Sequence, residues 1–195
     1  MLALTPPQLR PFCTLTVELA PVLDVGAARL GTRRVVPIAG GRVTGRISGT
    51  ILDVGADWQT VDDDGVAEMD ARYAFRTDDG ALVEILNQGF RYGPPDVMTQ
   101  LASGAPTPPD AYSMLSTARL ESGHPDYRWV NRLVLVGTGA RHGSTVQVDL
   151  YTLEDLHTLG VRQTFDDRQA FDGRQSFDGR QSLNHTDPLE RGPQT

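Results

Sequence analysis

The chain contains no lysine. All 18 of its basic residues are arginine, set against 25 acidic residues for a net charge of −7 at pH 7. Without lysine there is no Schiff-base chemistry on an ε-amine and no lysine-dependent phosphate loop. The acidic balance disfavours nucleic acid and anionic membrane as partners, since both require a concentrated positive face. Cysteine is almost as scarce. Cys13 stands alone, which excludes an intramolecular disulfide framework and a multi-cysteine zinc site. It reads as a small buried hydrophobe in a strand. His124, His142, His157 and His185 form no HxH or HxxxH pair, so a histidine metal centre is not expected. There is no GxSxG elbow. The glycine-rich GTGARHG, Gly137 to Gly143, lies between strand-like segments and lacks the helix a phosphate loop requires. No stretch approaches a membrane span, and MLALTPPQLRPF has neither the basic start nor the long apolar run of a signal sequence. The expectation is a cytoplasmic protein with no metal and no other cofactor.

What is present is alternation. FCTLTVELA, RVTGRISGTIL, VAEMDARYAFR, ALVEILNQGFRY, NRLVLVG and TVQVDLYTL all carry strand character. In RVTGRISGTIL, Arg42 to Leu52, the positions Val43, Gly45, Ile47, Gly49 and Ile51 share one face. In VAEMDARYAFR, Ala67, Met69, Ala71, Tyr73 and Phe75 share another. The run LVLV, Leu133 to Val136, is apolar on both faces and is expected to be covered on both sides. The acidic runs Asp62 to Gly65 and Asp78 to Gly80 bracket one alternating strand. They read as hairpin turns, because glycine accepts the positive φ such turns need. Their contiguous acids lack the alternating ligand spacing of a calcium loop. Only PPDVMTQLASG, Pro94 to Gly104, reads as a helix, with proline at its start and glycine at its end. Eight or nine antiparallel strands with one short helix predict an all-β, closed antiparallel β-barrel, since closure removes the sheet edges. A sandwich is the alternative.

The barrel is assigned to residues 1–153. Beyond it the sequence runs into FDDRQA, FDGRQS and FDGRQS. One phenylalanine in six cannot offset the entropy of ordering such a segment. Residues 154–195 therefore read as a low-complexity flexible tail, or alternatively as an interaction segment whose phenylalanines dock on a partner.

Two clusters carry candidate chemistry. Asp57 and Trp58 lie in a short strand before the first acidic turn. A carboxylate beside a large aromatic can have its pKa raised and serve as an acid or base near neutrality. Equally, the aspartate can hold a loop and the tryptophan fill the barrel. The second cluster is TARLESGHPDYRWVNR, in which Glu121, Tyr127, Trp129 and Asn131 mix polar and aromatic character. Such groups converge on ligands at barrel mouths, or simply hold a hairpin together.

The ordered blocks GGRVTGRISGTIL, GADWQTVDDDGVAEMDARYAFRTDDGALVEI, FRYGPPDVM and LESGHPDYRWVNRLVLVGTG resemble the bacterial and fungal family called domain of unknown function 3237. The resemblance covers Phe12 to Leu153 and implies an antiparallel barrel similar to allene-oxide-cyclase-like barrels. Some of those are oligomeric, cofactor-free cyclases of natural-product pathways. The family pattern is matched by Asp57 with Trp58, Arg72 with Tyr73, Glu121, and Trp129 with Asn131. One block departs: YSMLST, Tyr112 to Thr117, places Leu115 where many members carry arginine, which implies a less charged ligand or a different chemistry.

These readings combine into an expected cofactor-independent enzyme acting on a small, largely apolar substrate, most simply a cyclase or isomerase. Asp57 and Glu121 are the expected proton-transfer groups, with Arg72 and Asn131 polarising an oxygen. Trp58, Tyr73, Tyr92, Tyr112 and Trp129 are expected to contact substrate. Strict alternation would set Arg72 and Tyr73 on opposite faces unless a bulge intervenes. A homo-oligomer, a dimer in the first instance, is expected. The alternatives are a non-catalytic small-molecule-binding barrel, a catabolic lyase or isomerase, and an assembly protein that recruits a partner through its tail.

Overall fold

The computed structural model describes residues 6–154; the repeats assigned to the tail lie outside them. Nine strands follow in order: β1 (Gln8–Leu19), β2 (Leu23–Ala28), β3 (Gly31–Gly45), β4 (Gly49–Val61), β5 (Ala67–Thr77), β6 (Leu82–Tyr92), β7 (Ser113–Glu121), β8 (Leu135–His142) and β9 (Thr145–Glu154). One helix, α1 (Pro95–Ala102), and two short 3-10 segments, Pro109–Ala111 and Pro125–Arg132, complete the described elements. No helix among the described residues is long and apolar enough to cross a membrane.

All strand pairs are antiparallel, in the order β1-β9-β8-β7-β6-β5-β4-β3-β2, and β1 also pairs with β3. Eight strands therefore close into a barrel, and β2 is a ninth strand outside it. The long β3 serves both roles. Its first part, Gly31 to Val35, pairs with β2, and its second, Ile38 to Gly45, pairs with β1. A register shift between Pro37 and Gly41 against β4 lies near this changeover. Bulges of this kind sharpen the local twist and let a sheet curl shut.

The alternation read from the sequence sets the core. Ala67, Met69, Ala71, Tyr73 and Phe75 of β5 all point inward and are buried. Ala71, Tyr73 and Phe75 join Leu15, Val43, Ile51, Val83, Ile85 and Leu150 in one hydrophobic core cluster. Both acidic runs are hairpin turns. Asp62 accepts the backbone N–H of Val66 at 2.8 Å, and Gly65 sits at φ +80°. The Asp78–Gly80 turn has Gly80 at φ +101° and donates its N–H to the Thr77 carbonyl at 2.9 Å.

Two strand expectations are corrected. RVTGRISGTIL is two strand ends joined by a turn, because β3 stops at Gly45 and β4 starts at Gly49. The hairpin keeps Val43, Ile47 and Ile51 buried, so its apolar spacing imitates one continuous strand. NRLVLVG begins in the 3-10 segment, and the strand starts only at Leu135. There Leu135 is buried while Val134 is 59% exposed, so no helix among the described residues covers the second face of LVLV.

Closure demands close approach between backbones. Gly41 has φ +134°, and a Cβ built there would lie 2.0 Å from the Thr16 carbonyl oxygen of β1. Gly41→Ala combines an unfavourable φ with a clash against backbone, and is expected to cost about 2–5 kcal/mol. Urea unfolding checks this; a loss below about 0.5 kcal/mol, the range of an ordinary surface substitution, would refute the close-packing account.

Candidate functional site

The two ends of the lumen differ in chemistry. At one end the 3-10 segment Pro125–Arg132 acts as a plug. Val130 is fully buried, and Trp129 meets Phe12 edge-on with ring centroids 6.1 Å apart. The Arg46 guanidinium lies 6.0 Å from the centre of each ring. Asn131 locks the segment down: its Oδ1 accepts the Ser122 N–H at 2.8 Å, and its Nδ2 donates to the Ser122 carbonyl at 3.1 Å. Tyr127 donates its hydroxyl to Asp79 at 2.8 Å, tying the plug to the β5–β6 turn.

At the other end the inward positions change from apolar to polar. Along β6 they run Val83, Ile85, Asn87, Gly89 and Arg91; along β4, Asp57 and Gln59 point inward. These side chains, with Tyr73, Arg141 and the apolar Val17, Leu19, Val36, Ile38, Met69, Ala71, Met114, Val146 and Val148, surround a cavity of about 50 Å³. At roughly 10–15 Å³ for one water, it holds a few waters or a small polar head group.

Asp57 belongs to a hydrogen-bonded chain. Its Oδ1 accepts the Asp70 N–H at 2.9 Å, and its Oδ2 accepts the Gln59 side-chain amide. The Gln59 oxygen in turn accepts the Arg34 Nε at 2.8 Å. Burial pushes the Asp57 carboxyl above its ordinary range, outweighing the opposing hydrogen bonds and the arginine charges. Burial also pulls the Arg91 guanidinium down to about 10, helped by the positive charges of Arg34 and Arg141. Tyr112 is buried beside this end and accepts the Arg141 backbone N–H at 2.8 Å through its hydroxyl. The Tyr73 hydroxyl is raised by burial, and the Cys13 thiol is likewise pushed up to about 12.

The structure separates the residues singled out in the sequence. Asp57 and Tyr73 line the cavity, and Tyr112 stands beside it. Asn131 and Trp129 belong to the plug at the opposite end. Glu121 is exposed at the outer wall, 2.9 Å from Arg119. Arg72 also points outward, because β5 runs against β6 without a bulge and the alternation is preserved. Trp58 and Tyr92 are outward as well, at 37% and 48% exposure. Leu115 faces the same exterior, in a groove with Trp58 and Phe90, so the residue at that position does not determine the charge of the lumen. Gln59, Asn87, Arg91, Arg141 and Arg34 were not singled out. For Asn87 and Arg91 a signal lay in β6, where polar residues take over the inward face of an apolar alternation; Gln59, Arg141 and Arg34 had none. No group of three His, Cys, Asp or Glu side chains among the described residues is placed to hold a metal ion.

The family model described as "Protein of unknown function (DUF3237)" matches residues 7–153. A UPF0311 protein from Rhodopseudomonas palustris is 40% identical over 139 residues, which is 71% of this chain and 91% of that protein. A solved β-barrel-like protein from Acinetobacter baumannii is 41% identical, with a TM-score of 0.70 over 79% of this chain and all of that one. A solved enzyme from Penicillium herquei, 18% identical, shares the fold with a TM-score of 0.60 over 79% of this chain and 99% of its own.

The raised Asp57 carboxyl has a consequence with a definite sign. A carboxyl whose pKa is higher folded than unfolded binds more protons in the native state. Its contribution to stability is therefore greatest below the unfolded value and falls as pH rises through the folded one. The difference in unfolding free energy between wild type and Asp57→Asn should decline from about pH 4 up to the raised native pKa, then level off. Denaturation across pH measures this, and a difference that grows with pH would reverse the assignment.

Proposed function

The chain belongs to the DUF3237 family, and from that premise we propose that its barrel binds a small organic molecule whose polar end enters the lumen. One observation carries this reading: a concentrated set of polar side chains, Asp57, Gln59, Asn87 and Arg91, lines a cavity in an otherwise apolar barrel. Lumens with no binding role fill with apolar side chains, as the opposite half of this barrel does. Pockets for small molecules combine an apolar lining with a few placed polar groups. The test is a thermal-shift screen of small organic compounds against wild type and Ala71→Leu. Ala71 lines the cavity, and a leucine there would fill it. A compound at a hundredfold its Kd adds about 2.7 kcal/mol, raising Tm by roughly 5–10 °C for a domain of this size. Ala71→Leu should lose that shift while keeping its β-type circular dichroism. Equal shifts in both proteins would place binding elsewhere.

A second reading makes the same site catalytic, and the state of Asp57 supports it. A partly buried carboxyl with a raised pKa at a cavity wall suits proton transfer near neutral pH. A solved enzyme from Penicillium herquei has the same fold, so this barrel architecture is compatible with catalysis; the reaction proposed is a cofactor-free cyclisation or isomerisation. A cavity that holds one reactive conformer supplies much of the acceleration such steps need. In this reading Asp57 moves the proton and Tyr73 shapes the cavity. On any substrate turned over, Asp57→Asn should lose about 10²–10⁴-fold in kcat with KM little changed. Full turnover in that variant would leave the binding reading alone.

A further inference from the structure

Arg91 is 5% exposed, yet its side chain makes no hydrogen bond or ion pair among the described residues. Its Nε is fully enclosed and without a partner. An unpaired buried cation is costly, and native proteins rarely retain one without use. The neighbourhood deepens the problem. Arg34 and Arg141 both lie close enough to repel it, and Asp57 is the one carboxylate that acts on it. Three guanidiniums meet two carboxylates, Asp57 and the Asp24 that acts on Arg34, which leaves this end of the lumen with a net positive charge in a chain whose net charge is −7.

The two neighbours are also held in a telling way. Arg34 is fixed through its Nε on Gln59 at 2.8 Å, and Arg141 through its Nε on the Gly143 carbonyl at 2.8 Å. Their terminal nitrogens have no partner among the described residues. Four residues before Arg91 on the same inward face, the Asn87 side-chain oxygen is likewise buried without a partner. Gly89 lies between them and puts no side chain into the intervening space.

We propose that this end of the lumen is an anion site that receives the carboxylate of a small organic acid on Arg91, with Arg34 and Arg141 supplying the surrounding positive field. This rests on the binding reading above and specifies the class of molecule it takes. The planar guanidinium matches a carboxylate through two parallel N–H donors. The unpartnered Asn87 oxygen suits a hydroxyl or amide N–H further along the same ligand. Val36, Ile38, Met69 and Met114 on the cavity wall accept a hydrocarbon body, which an inorganic anion would leave unused. The two methionines are adaptable enough to widen the space for it.

The test uses the full chain and a matched set of probes, butyrate and benzoate against the neutral butyramide and benzamide. Binding is followed by calorimetry and by the Nε–H resonance of Arg91. Wild type should bind the carboxylates at least tenfold more tightly than the amides and shift that resonance. Arg91→Met keeps a side chain of similar length without the charge, and it should lose at least tenfold in carboxylate affinity while amide binding stays the same. Arg91→Gln serves the same purpose should the methionine variant fold poorly. Amides that bind as well as carboxylates, in wild type and variant alike, would overturn the anion site and leave the binding barrel standing. Carboxylate binding that survives in both Arg91 variants would also overturn it. Failure of every probe to bind would remove both.

Discussion

The pairing of β1 with the second half of β3 is the contact on which everything else depends. It turns a meander into a closed barrel. Without it, β1 and β3 would each present an open row of backbone donors and acceptors, and the inward faces would have no common interior. The contact is made possible locally. Glycine at position 41 lets the two backbones meet where any side chain would strike the Thr16 carbonyl. The register shift in β3 redirects the strand from β2 to β1. Closure then creates one interior with two ends, and the sequence of each strand decides which end is apolar.

That interior is a poor solvent for charge. A plug built on Val130, Trp129 and the Asn131–Ser122 clamp keeps one end dry. At the other end, the same exclusion of water raises a carboxyl and lowers a guanidinium. Asp57 and Arg91 are perturbed for one reason, since each charge is held in a wall that solvates it badly. The small-molecule reading and its catalytic variant both draw on this property. A ligand brings in the charges and hydrogen-bond partners that the wall lacks, and gives up its own hydration only where the protein has already arranged substitutes.

Much of the fold was legible. The β5 alternation from Ala67 to Phe75 reproduces the core face residue for residue, and the Asp-Gly turns fall where glycine permits positive φ. Two segments were misread for a common reason. RVTGRISGTIL and NRLVLVG carry apolar residues at strand spacing, but a tight turn or a 3-10 segment can bury the same positions. The candidate site was only partly legible. Asp57 and Tyr73 reach the cavity, whereas Arg72, Trp58 and Leu115 obey the alternation and face outward. Glu121 and Asn131 share a sequence neighbourhood that the fold carries to the end of the barrel remote from the cavity. Arg91 was not singled out, because an inward position near a strand end looks the same as an exposed one until the opposing strands are in place.

The sequence by itself determined the class of structure and the faces of most strands. Period-two patterning and turn chemistry are local properties, written within a few residues of each other. It also determined what chemistry was out of reach, since a chain without lysine and with one cysteine cannot assemble certain sites at all. Only the tertiary structure decided which polar residues meet. Asp57 of β4, Asn87 and Arg91 of β6, and Arg141 of β8 come from three different strands, and nothing local relates one strand's residues to another's. Barrel closure brings them to one enclosed end, where burial shifts the ionisation of Asp57 and Arg91 and leaves Arg91 without a hydrogen-bond partner among the described residues. That missing partner is a fact about three-dimensional neighbours, and it is the feature that points most directly to what the barrel holds.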